Sequence, residues 1–177
     1  VFAQNDTSRE NIKEALNIFR SIYSDEAHID VLFNDIDISG PALLPVPVTG
    51  SAFYSNAAAL GQSPGINLFI GADIEPVPEA SGAILGISGS IGGPSLPSQV
   101  SAVAVSLITA AGGSGQFTGD AIQVFGETMA HEVGHYLGLF HPVEISDQVV
   151  VGVDPLDDTP SCFTYLDCLE NNDLVTN

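Results

Sequence analysis

The sequence predicts an α/β (α+β) chain, and three observations carry that prediction. An apolar stripe at helical spacing opens the chain, over residues 7 to 23. Apolar runs of strand length occupy residues 66–74, 83–91 and 102–108. A glycine-rich approach, 110–119, then feeds a second helical stripe that carries three of the four histidines.

Length and composition bound what such a chain can be. Its 177 residues suffice for one domain with a core, or for one domain and a small subdomain. A hydrophobic content of 45% and a positive mean hydropathy of +0.28 argue against disorder. No apolar run approaches the length of a membrane span. The formal net charge of −19, from 22 acidic residues against 3 basic ones, argues against nucleic acid and anionic membranes as partners. Such acidity suits calcium binding, a high-salt habitat or a soluble secreted protein. The chain starts at Val1, without a basic segment followed by an apolar one, so the expectation is a mature chain without its signal peptide or propeptide.

Each element has its own reason. From Thr7 to Tyr23, Ile12, Leu16, Phe19 and Tyr23 form one face, with Asp6, Thr7 or Ser8 as cap. This is expected to be a scaffold helix behind a sheet, and it carries all three basic residues, Arg9, Lys13 and Arg20. Residues 28–39 alternate as a strand with Asp35 and Asp37 on its solvent side. Asp35, Asp37 and Ser39-Gly40 resemble the opening of a calcium loop, but Val46 stands where the closing glutamate belongs, which rejects an EF-hand. His28 stands alone and reads as a surface residue. The proline-bearing stretch 41–65 is a long connection with a short helix near residues 57–60. Residues 66–74 and 102–108 read as buried strands. The glycines within 83–91 suit an edge strand that another backbone approaches closely. The second helix is expected to be capped by Asp120, with Ile122, Phe125, Met129 and Val133 facing the core. Beyond Pro142 little regular pattern remains, apart from a short extended piece at 149–151.

The second helix bears the chemistry. His131, Glu132, His135, Gly138 and His141 satisfy the pattern H-E-x-x-H-x-x-G-x-x-H. Residues four apart lie on one helical face, so His131 and His135 can grip one metal ion. Gly138 can end the helix in a left-handed turn and swing His141 back as third ligand. Three nitrogen ligands leave a fourth position for water, the mark of a catalytic zinc site. Glu132 is placed to serve as general base. The bland alternative is an amphipathic helix whose histidines merely pack. Asp154, Asp157, Asp158 and Thr159 are candidate calcium ligands, and a capped turn with solvated acids explains them equally well. Cys162 and Cys168 favour a local disulfide over two free thiols, provided the compartment is oxidising.

The run from His131 to His141 resembles the metzincin zinc metalloendopeptidases. Ala130 before the first histidine, Asp157-Asp158-Thr159-Pro160 after the third, and Cys162 shortly beyond resemble the pappalysin-like family within that clan. The likeness covers about the last two-thirds of the chain. It implies a metzincin-like zincin: a mixed twisted sheet, a backing helix, an active-site helix and a small irregular C-terminal subdomain. Residues 1–177 would form one catalytic domain, with 1–138 as upper subdomain and 139–177 as the start of the lower one. It also implies secretion, calcium near Asp154 to Pro160, and a peptide substrate bound in extended form along an antiparallel edge strand, best matched by 83–91.

The resemblance breaks at one place. Metzincins have a methionine turn downstream of the third histidine, and the single methionine here, Met129, precedes it. The expectation is a chain truncated before that turn, in preference to a shortened variant that replaces the methionine. The activity implied is hydrolysis of peptide bonds by a zinc-activated water, with Glu132 as base. One rival is a zinc protease with Glu144 or Glu170 as third ligand. Another is a catalytically incompetent zinc- or calcium-binding module derived from such a protease.

Overall fold

Residues 6–33, 65–71, 74, 84–94, 102–111, 117, 119–141, 143–146 and 149–153 are described by a computed structural model of the chain. The chain divides into two compact units, Val1–Gly138 and Leu139–Asn177.

In the first unit, helix α1 spans Asp6–Ser21 and runs into a π-helical turn, Ile22–Glu26. The predicted stripe is what it buries: Ala15, Phe19 and Tyr23 lie in the core, with Ile12, Leu16 and Ile18 packed against them. The expected strand after this helix is not formed in residues 28–33. Their contacts go to the helix instead. Ile29 N–H donates to the Tyr23 carbonyl, and Arg20 Nε donates to the Val31 carbonyl at 3.1 Å. The Arg20 guanidinium also lies 4.9 Å from the Phe33 ring centre. Backbone groups satisfied by a neighbouring helix have no need of a strand partner. Residues 34–39 and the expected helix near 57–60 lie outside the described residues.

A three-stranded sheet follows, of strands β1 (Leu68–Gly71), β2 (Gly86–Ser88) and β3 (Val103–Ser106), in the order β1-β3-β2. β1 is parallel to β3, with Leu68 opposite Val103; β2 is antiparallel to it, with Gly86 opposite Val105. The sheet is therefore mixed. β3 lies in the middle and is buried on both faces, which explains its unbroken apolar run. Val103 and Val105 face the main core, while Ala102 and Ala104 face a smaller cluster with Ile74, Phe69, Ile84 and Ile87. The predicted strand 102–108 is too long. Ser106 ends it by capping the short helix α2 (Leu107–Ala110), its Oγ accepting from Thr109 N–H at 3.2 Å.

Helix α3, Gly119–Tyr136, packs on α1 and on the sheet. Asp120 lies inside its first turn, not ahead of it as predicted. Ile122, Phe125, Met129 and Val133 all enter the core, and Phe125 and Met129 are fully buried. The first unit is thus a mixture of helices and a small sheet, α+β in class. Among the described residues no helix is long and apolar enough to cross a membrane.

In the second unit, β4 (Val143–Ser146) and β5 (Val149–Val153) form an antiparallel pair. The sequence reading anticipated only an extended piece at 149–151 and missed β4. The register shifts between Glu144, opposite Gly152, and Ile145, opposite Val150, so Val151 is the extra residue of a bulge. The alternation of β4 is too short to stand out from a loop.

Candidate metal centre

The centre begins as a property of α3. One helical turn separates His131 from His135, and their Nε2 atoms lie 3.1 Å apart with the rings edge to face at 83°. Two imidazole nitrogens at that distance share a proton or a metal ion. Two nitrogens bound tetrahedrally at about 2.0–2.1 Å to one metal would lie about 3.4 Å apart. The helix ends at Tyr136, and Gly138 takes φ +106°, a backbone conformation that L side chains rarely adopt. His141 follows three residues on. The candidate ligand atoms of His131, His135 and His141 all lie within 4.8 Å of one another.

These three residues could hold a metal ion. All three are half-buried, and the donor set is three neutral nitrogens without a carboxylate or thiolate. That chemistry suits zinc, copper, iron or nickel and does not suit calcium or magnesium.

Glu132 is outside this group. It is 9% exposed and turns toward the sheet, where it meets β2. Burial pushes its pKa up from the usual 4.5 to about 7; the charge of His135 and the backbone of Ser88 pull in the opposite direction and do not cancel it. Room for the side chain comes from Gly86. A Cβ there would lie 2.6 Å from Glu132 Cγ, 3.0 Å from its Oε1 and 2.9 Å from Thr128 Cγ2. The close approach anticipated for the glycines of 83–91 is therefore made, at Gly86, by side chains of α3 and not by another backbone.

Four further hydrogen bonds hold the helix, and none was anticipated from the sequence. Tyr23 Oη donates to the Ala130 carbonyl at 3.0 Å, next to His131, and burial pushes this phenol up to about 12. At the other end, Gly92 N–H donates to the His135 carbonyl and Gly93 N–H to that of Tyr136. Tyr136 Oη in turn donates to the Pro94 carbonyl at 2.6 Å. Helix C-termini leave carbonyls without internal partners, and Gly92 and Gly93 supply donors to two of them. The one available signal was the Gly92-Gly93-Pro94 run itself, a turn without an evident destination.

The remaining predicted site residues, Asp154, Asp157, Asp158, Thr159, Cys162 and Cys168, lie outside the described residues, as do Glu170 and the side chain of Glu144. No family model matches the chain, and no curated protein and no solved structure matches it.

Proposed function

We propose that the chain is a zinc-dependent endopeptidase of the metzincin type, with pappalysin-like features. The observation that carries this reading is the convergence of three imidazoles, within 4.8 Å, beside a buried carboxyl group that is not one of them. A structural metal site has no use for such a base. Zinc is the metal proposed, held by His131, His135 and His141. Bound there, it would supply a Lewis acid that acidifies a water molecule and polarises the scissile carbonyl. Glu132 accepts a proton from the attacking water and passes it to the leaving amine nitrogen. In the metal-free chain burial raises its pKa to about 7, a perturbation of the kind that gathers at functional sites.

An extended peptide is the proposed substrate, added as a further strand to β2, which ends the described sheet on that side. The likeness to pappalysins also makes secretion and calcium near Asp154 to Pro160 part of the proposal, and the spacing of Cys162 and Cys168 adds a local disulfide.

A second reading, a metal-stabilised binding module without catalysis, is favoured by one observation: the Glu132 side chain lies against Gly86 of β2 and not among the three histidines. A single set of measurements separates the two. The purified chain should hold about one zinc and cleave a quenched-fluorescence peptide library. A chelator should abolish cleavage, and zinc should restore it. Glu132→Ala should keep the metal and lose cleavage by at least about a hundredfold. Equal cleavage by Glu132→Ala and the unaltered chain sinks the catalytic reading. His141→Ala addresses the rival ligand: zinc affinity that survives this change would point to Glu144 or Glu170.

A further inference from the structure

The chain leaves α3 through a turn that leads to the third histidine. Leu137 N–H still donates to the Val133 carbonyl at 2.9 Å, four residues back as in a helix. Gly138 N–H reaches only to the His135 carbonyl, also at 2.9 Å. Gly138 then takes φ +106°, and His141 stands three residues on. Glycine adopts that conformation without steric cost, but it adopts many others as readily. Something must select one. Packing does not: among the described residues, a Cβ at Gly138 would come within 4.0 Å of Gly92 Cα alone. Burial does not either, since Leu137, Leu139 and Phe140 are exposed.

What the turn does meet is the segment after β2. The His135 carbonyl accepts twice, from Gly138 N–H and from Gly92 N–H at 3.0 Å, so one oxygen ties the turn to residue 92. The next carbonyl, that of Tyr136, accepts from Gly93 N–H at 2.6 Å. The buried Tyr136 side chain closes the arrangement. Its Oη donates to the Pro94 carbonyl at 2.6 Å, and its ring lies on Gly93, where a Cβ would overlap Cε2 and Cζ.

We propose that residues 92–94 form a clasp that fixes the direction in which the chain leaves α3, with Gly93 and Tyr136 as positioning residues for the third metal ligand, His141. The inference rests on the three-histidine metal reading above and is independent of peptide hydrolysis. His131 and His135 are placed by the helix itself, one turn apart, and need no clasp. His141 is related to them through the turn. A turn already held when the metal arrives has little freedom left to lose, and the ion binds more tightly for it.

A double-mutant cycle in the full chain separates positioning from general support of the helix. Zinc affinity is measured by competition with a chromophoric chelator. The chains compared are the unaltered protein, Gly93→Ala, Tyr136→Phe, His141→Ala and the two double variants with His141→Ala. Tyr136→Phe keeps the ring and deletes only the donor, so it carries the test if Gly93→Ala does not fold. The expected result is affinity weakened about tenfold by Gly93→Ala and about threefold by Tyr136→Phe. Neither change should matter once His141 is replaced. Equal losses in both backgrounds would make the clasp a support of the whole helix and overturn the inference. So would unchanged affinity in the single variants when His141→Ala itself weakens binding. An unaltered chain that holds no zinc, or a His141→Ala chain that binds it as tightly, removes the three-histidine reading, and the inference falls with it.

Discussion

A carboxyl group with 9% of its surface exposed has lost most of its hydration, and for Glu132 that loss outweighs both His135 and Ser88. The fold therefore binds this proton more tightly than the unfolded chain does, at about 7 against the usual 4.5. The stabilisation that follows is complete below about pH 4.5 and is lost as the pH rises through about 7. Glutamine in the same place stays neutral throughout. Denaturant unfolding of the metal-free chain should then find Glu132→Gln more stable than the unaltered protein at pH 8, by on the order of 2 kcal/mol. The gap should close by about pH 4. A gap that is flat between pH 4 and 8 would show that Glu132 is not desolvated. The same residue illustrates what the sequence can disclose. Local spacing along α3 makes the grouping of His131, His135 and His141 legible, because helix geometry and one glycine turn relate them. The place where Glu132 rests is not legible. It depends on Gly86, more than 40 positions away in a strand of three residues.

Among elements, α1 does more than back the sheet. Its stripe was readable as a stripe, since Ile12, Leu16, Phe19 and Tyr23 recur at helical spacing. That Tyr23 would use its hydroxyl on the Ala130 carbonyl was not, because periodicity reports a face and not its destination. The buried hydroxyl makes a firm prediction. Tyr23→Phe keeps the ring, which packs edge to face on Phe19 at 5.2 Å, and deletes only the donor. A loss of about 1 kcal/mol is expected from thermal or denaturant unfolding. The phenol is held near 12 against its usual 10, so the stability it contributes is intact below pH 10 and is lost as the pH rises from 10 to about 12. The unaltered chain should lose stability over that interval more steeply than Tyr23→Phe; parallel curves would refute the assignment. β2 and the segment 92–94 act on the same helix from the other side. Gly86 lies against it at Glu132 and Thr128, and Gly92 and Gly93 meet its last carbonyls. The strands at 66–74, 83–91 and 102–108 were legible as apolar runs, yet each is shorter in the structure. Ser106 shows why: a side chain able to cap a helix redirects the backbone, whatever the hydropathy of Leu107 and Ile108.

At the scale of the first unit, Phe125 is the side chain around which the layers meet. It is fully buried on α3 and touches Phe117 edge to face, with ring centres 5.3 Å apart. Truncation to alanine would leave a cavity that rigid neighbours cannot close, and a loss of about 3–5 kcal/mol is expected on denaturant unfolding. For a domain of ordinary stability that approaches the whole margin. A loss below about 1 kcal/mol would mean that α3 is not packed between α1 and the sheet. The α+β class was legible because stripes and runs alternate along the chain. The sheet order was not, since three strands can be arranged several ways and only the β1-β3-β2 pairing decides. The Tyr23–Ala130 bond joins residues 107 positions apart. During synthesis at about 5–20 residues per second, α1 leaves the ribosome on the order of five to twenty seconds before the helix that covers its apolar face. Over that interval Phe19 and Tyr23 have each other but not the surface of α3 that buries them, and the newborn chain presents them to whatever holds unfinished proteins.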